Sequence, residues 1–120
     1  MNDAPKKLLI TEAQRAQLLA NGAARLRGQD FDPLPVVKLY TPDGHATWLI
    51  SELSPADEDT AYGLIDLGIG PPSLGTVRLS DLQTIRGPLD QPIARDLHFK
   101  ARRTLSEYVL RAQADGSIND

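Results

Sequence analysis

Four short runs of strand character follow one another between residues 35 and 79, separated only by turns and short loops. They cover residues 35–40, 46–53, 61–67 and 74–79, and each is bounded by Pro, Gly, Asp or Ser. A parallel crossover needs a dozen or more residues, so runs this closely spaced are expected to pair antiparallel. Thr41-Pro42-Asp43-Gly44 has the turn chemistry of a hairpin loop, and Gly68-Ile69-Gly70-Pro71-Pro72 divides the third run from the fourth. Alternation in the second run places Ala46, Trp48 and Ile50 on one face, with Trp48 expected in the core. A fifth run at 96–100 turns Leu97 and Phe99 inward and Asp96, His98 and Lys100 outward.

Three helices flank these strands, each opened by a capping-box pattern: Thr11-Glu12-Ala13-Gln14, Ser80-Asp81-Leu82-Gln83 and Thr104-Leu105-Ser106-Glu107. The first is expected over 12–27, with Leu19, Ala23 and Leu26 on one stripe and Leu18 beside it. Gly22 weakens its middle and Gly28 suits its C-terminal cap. The second spans 81–86 and stops at Gly87-Pro88, and the third starts at 105 with Tyr108, Val109 and Ala112. The order α-β-β-β-β-α-β-α describes one small α+β domain: a mainly antiparallel sheet of about four to five strands with three helices. The expected boundaries are a lead-in at 1–10, the domain at 11–113 and a flexible tail at 114–120. Strand order is not readable from this pattern.

Composition excludes several chemistries. There is no cysteine among the 120 residues, which rules out disulfides, cysteine-ligated zinc, iron–sulfur clusters and a cysteine nucleophile. No apolar run approaches the roughly 18 residues of a membrane-spanning helix. Leu8-Leu9-Ile10 meets Thr11-Glu12 too soon for a signal-peptide core. The expectation is a cytoplasmic protein with no membrane partner and no cofactor.

The net charge of −3 is small, but it is unevenly spread. Residues 31–70 carry Lys38 against seven acidic groups, and no Lys or Arg lies between Lys38 and Arg78. Glu52, Asp57, Glu58 and Asp59 head this acidic stretch. Ser54-Pro55-Ala56-Asp57 is expected to cap a single helical turn, because Ser suits the N-cap, Pro the first helical position and Asp the first turn. Asp57 and Asp59, two residues apart, suit a hard cation such as Mg²⁺ or Ca²⁺. The third ligand, central Gly and closing Glu of a calcium loop are missing, so a solvated cap competes with a metal site. A basic stretch, Arg95, Lys100, Arg102 and Arg103, could hold phosphate, yet no aromatic platform is spaced to stack bases.

Other motifs carry less. His45 and His98 have no zinc-binding spacing, and a surface or structural role is expected for each. No serine sits in a Gly-x-Ser-x-Gly elbow. Gly68-Ile69-Gly70 runs into Pro71-Pro72, which denies it the helix N-terminus of a dinucleotide loop.

The ordered motifs resemble the bacterial family catalogued as domain of unknown function 2958, over roughly residues 8–108. They are Thr41-Pro42-Asp43, Trp48 with Glu52, Asp57-Glu58-Asp59, Tyr62-Gly63-Leu64, Leu74-Gly75 and Leu79-Ser80-Asp81-Leu82. Arg86-Gly87-Pro88-Leu89, Pro92-Ile93, Arg95-Asp96-Leu97 with Phe99, and Leu105-Ser106-Glu107-Tyr108 complete the series. The resemblance implies a short bacterial protein of the kind found on plasmids and other mobile elements, and it carries over no catalytic residue. Ser73 and Ala94 stand where relatives usually have Glu.

The leading expectation is a non-enzymatic interaction module docking on a protein partner. Its candidate surfaces are Glu52, Asp57, Glu58 and Asp59, and separately Arg95, Arg102 and Arg103. The mobile-element setting implied by the resemblance suggests a host protein, such as a defence system, as partner. Neutralising Asp57, Glu58 and Asp59 together is expected to abolish docking and spare the fold. One alternative is a metal-assisted hydrolase or nuclease, with Glu52, Asp57, Asp59 and Asp66 holding the ion and His45 as base. The other is a nucleic-acid accessory using Arg95, Lys100, Arg102 and Arg103.

Overall fold

The computed structural model describes residues 9–28 and 31–119. The elements are α1 (Glu12–Leu26), β1 (Val37–Tyr40), β2 (Thr47–Leu53), β3 (Thr60–Asp66), β4 (Ser73–Arg78), α2 (Leu79–Leu82), β5 (Ala94–Arg95) and α3 (Leu105–Asp115). This is the expected order of three helices and five strands. The strands form one antiparallel sheet in the order β4-β3-β2-β1-β5. Strands β1 to β4 lie side by side in sequence order because their connections are too short for a crossover, whereas β5, reached through α2, pairs with β1 at the other edge.

Helices pack against both faces of the sheet. Trp48 and Ile50 of β2 pack with Leu18 of α1 and with Leu79 and Leu82 of α2. Leu49, between them, points the other way and packs with Leu64, Leu105, Tyr108 and Ala112 beneath α3. β2 is therefore buried on both faces, from Trp48 through Leu53.

A β-bulge interrupts β2. Ile50 pairs with Gly63 and Glu52 with Tyr62, which leaves Ser51 as the extra residue. The insertion resets the alternation, so Leu53 rather than Glu52 continues the row of Trp48 and Ile50 toward α1. Helix α1 docks at this bulge. The buried Asn21 donates from Nδ2 to the Ser51 carbonyl at 2.8 Å. Gly22 lies so close that a Cβ there would sit 1.9 Å from the Leu53 carbonyl oxygen. The buried side of α1 is thus Leu18, Asn21, Gly22 and Ala24, whereas Leu26 of the expected stripe is 74% exposed. A polar residue and a glycine hold the face where apolar periodicity looked for leucine.

Other expectations need correction. The 96–100 strand does not form. β5 is Ala94–Arg95, the chain then turns at Asp96, whose Oδ1 accepts from the His98 amide at 2.9 Å, and Leu97 is 76% exposed. Helix α2 begins two residues early because the Ser80 amide and hydroxyl bond to Asp59 instead of capping a helix (2.9 and 2.6 Å). The packed region also exceeds 11–113. Leu9 and Ile10 belong to the α1-side core, α3 continues to Asp115, and Ile118 packs against the α3-side core. Residues 1–8 of the lead-in and Asp120 of the tail lie outside the described residues.

The boxes at α1 and α3 take different forms. Thr11 and Gln14 exchange both hydrogen bonds (3.0 and 2.8 Å). Glu107 accepts from the Thr104 amide and hydroxyl, both at 3.0 Å. Asp32, from far upstream, accepts from the Ser106 amide at 3.0 Å and from its hydroxyl. Hydrogen bonds from Ser106 hold the Asp32 carboxyl below its ordinary range.

Gly22→Ala sets two effects against each other. Alanine favours a helix interior over glycine by about 1 kcal/mol, while overpacking costs about 1–3 kcal/mol. The obstacle is backbone in the central strand, so the clash should win, and chemical denaturation should show net destabilisation. An unchanged or raised midpoint would mean that α1 does not dock this closely.

Candidate functional site

The acidic segment folds as a turn between β2 and β3. Residues 54–58 form the expected single helical turn and no longer helix: the Ser54 carbonyl accepts from the Glu58 amide at 2.8 Å, an i→i+4 bond, while the Ser54 hydroxyl accepts from the Ala56 amide at 3.3 Å. Asp57 is the hub. Its Oδ1 accepts from the Asp59 and Thr60 amides, both at 2.9 Å, and its Oδ2 from the Thr60 hydroxyl at 2.6 Å. Those bonds, led by the Thr60 hydroxyl, lower the Asp57 pKa to about 2. Asp59 reaches across to α2, accepting from Ser80 and lying 3.5 Å from the Arg78 guanidinium. Ser80 likewise holds its carboxyl below the ordinary range.

The four acidic residues of the predicted patch therefore have different roles. Glu52 is buried, and both of its oxygens accept from Arg25 Nε at 2.7 Å. That bond raises the Arg25 pKa, and the guanidinium also lies 5.3 Å from the Tyr62 ring centre. Asp57 and Asp59 are spent on hydrogen bonds within the fold. Glu58 is the exposed member whose carboxylate forms no hydrogen bond or ion pair among the described residues. It sits at φ 54°, held there by its amide bond to Ser54 and by Arg15 Nη1 donating to its carbonyl at 3.1 Å. Neutralising Asp57, Glu58 and Asp59 together would thus disturb the turn itself, contrary to expectation.

The metal arrangement is not assembled. Asp66 lies at the far end of β3 from Asp57, buried, accepting from the Gly68 amide at 2.9 Å and the Ile118 amide at 3.2 Å. Among the described residues no three His, Cys, Asp or Glu side chains gather as a metal requires. Ser73 and Ala94 fall on the opposite edge strands, β4 and β5. Glutamates at both positions would stand four strand spacings apart, roughly 19 Å, too far for one ion.

The basic residues are also divided. Arg95 is half-buried in β5 opposite Leu39. Arg103 lies 5.7 Å from the Tyr108 ring centre, and Tyr108 accepts from the Arg102 amide at 3.1 Å. The Arg102 and Lys100 side chains are exposed.

One structural residue was legible in the sequence only as part of a turn. Asp43, in the β1–β2 turn, accepts from the Leu89 amide at 2.7 Å and the Gln91 amide at 3.2 Å through Oδ2. Its Oδ1 lies so close over Gly87 that a Cβ there would come within 1.6 Å. Two separate motifs, Thr41-Pro42-Asp43 and Arg86-Gly87-Pro88-Leu89, meet in this contact. Only the Asp-Gly of the turn hinted at it.

Because the folded Asp57 pKa is depressed, its contribution to the turn is present above the ordinary carboxylate range and is lost as pH falls through about 2. Carboxyl NMR titration should place the Asp57 midpoint near 2, with the Thr60 amide following it. Thr60→Val removes the largest cause and should move the midpoint upward. A midpoint in the ordinary range for the natural chain would show that these bonds do not form in solution.

Among the described residues no helix is long and apolar enough to cross a membrane. No curated protein and no solved structure matches the chain. The family model described as Protein of unknown function (DUF2958) matches residues 9–119, which takes in every element from α1 to the end of α3. The chain belongs to that family.

Proposed function

We propose that this protein is a non-enzymatic accessory module of the bacterial cytoplasm, associated with mobile elements, that docks on a protein partner through the 54–60 turn. The observation carrying this reading is the fixed presentation of Glu58. An exposed turn is ordinarily mobile, but this one is tied to α1 by Arg15 and to α2 by Asp59. A carboxylate presented on a rigid support loses less conformational freedom on binding, which favours recognition. The complementary partner surface is basic, with charge steering the encounter. The separation of Asp66 from Asp57 supports docking over metal-assisted hydrolysis. The few aromatic residues weigh against nucleic acid.

The test is affinity capture from a bacterial lysate with three forms: the natural chain, Glu58→Lys and Arg102→Glu. Circular dichroism checks that each is folded. A single stoichiometric partner held by the natural chain and by Arg102→Glu, but lost with Glu58→Lys, is the expected result. Retention by Glu58→Lys would overturn the assignment, and loss with Arg102→Glu alone would move docking to the basic residues.

A further inference from the structure

The sheet face beneath α3 is only partly covered. Helix α3 contacts β3 and β4, while Lys38 and Tyr40 of β1 occupy the same face, since Val37 and Leu39 point into the α1-side core. An open depression of about 340 Å³ lies here, lined among others by Lys38, Tyr40, His45, Thr47 and Asp96. Its volume falls in the range of small-molecule sites. The Lys38 ammonium stands 3.6 Å from Asp96 Oδ2, and Asp96 Oδ1 is taken by the His98 amide. Among the described residues, the Tyr40 and Thr47 hydroxyls and the His45 ring hydrogen-bond to no protein group.

We propose that this depression binds a neutral polyhydroxylated small molecule of about monosaccharide size. The charges on its wall select the class. An anion drawn to Lys38 meets the Asp96 carboxylate at once, and a cation drawn to Asp96 meets the ammonium. A pair of vicinal hydroxyls, each both donor and acceptor, matches an ammonium and a carboxylate lying side by side. The Tyr40 and Thr47 hydroxyls add two further groups of the same dual character. This site is independent of the 54–60 turn, which lies at the other end of β2.

The test is an amide NMR titration of the full chain with D-glucose and with D-ribose, and separately with inorganic phosphate. Saturable shifts confined to residues 38–47 and 94–98 are expected with at least one sugar, in the millimolar range, and none with phosphate. Tyr40→Phe and Thr47→Val each remove one hydroxyl and should weaken the sugar response at least about threefold. Two variants guard against one of them failing to fold. Absence of a saturable response to either sugar would overturn the proposal. So would a stronger response of the same amides to phosphate, or sugar binding unaltered in both folded variants.

Discussion

The contact between α1 and the bulged centre of β2 is the interaction on which the rest of this structure depends. The bulge at Ser51 turns a backbone carbonyl out of the ladder, and a buried carbonyl left unpaired costs about 1–3 kcal/mol. Asn21 supplies the missing donor, Gly22 lets the helix approach, and Arg25 satisfies the buried Glu52. The same phase shift that exposes the carbonyl brings Leu53 into the α1-side core. Helix position, strand register and core composition are therefore one arrangement. Its reach extends to the acidic turn, because Arg15 of α1 holds the Glu58 carbonyl and Gly22 lies against Pro55.

Aspartates complete the architecture. Asp32 joins the chain before β1 to α3, and Asp43 joins the first hairpin to the loop before β5. Asp59 ties the β2–β3 turn to α2, and Asp66 ties the end of β3 to the segment after α3. In each case a carboxylate accepts from backbone amides that no helix or strand satisfies. Much of the acidic charge concentrated in residues 31–70 therefore serves to join loops. Glu58 stands apart from this pattern, and the docking proposal rests on that contrast.

How much of this was legible follows from the range of each interaction. The antiparallel pairing, the burial of Trp48 and the helix start at Thr11 depend on residues within a few positions of one another, and the local pattern announced them. The register beyond Ile50 was not read, because Ser51 carries no bulge signature: Leu49-Ile50-Ser51-Glu52-Leu53 breaks the alternation without marking which residue is the extra one. The docking face of α1 was misread because a glycine and an asparagine serve a partner that only the fold supplies. The hydrogen-bond partners of the acidic run were out of reach for the same reason. Spacing showed where carboxylates collect, but their donors at Ser80, Gly68 and Ile118 are distant in sequence or invisible as signals. The resemblance located motifs such as Asp43 and Gly87 without showing that they touch.

Native-state hydrogen exchange on Asn21→Ala tests the central claim most directly. If α1 docking at the bulge supports the acidic turn, protection should fall together in α1 and at the Ser54, Glu58 and Thr60 amides, with β4 less affected. Loss of protection in α1 alone, with the turn amides unchanged, would contradict it and leave the turn supported only by its own hydrogen bonds.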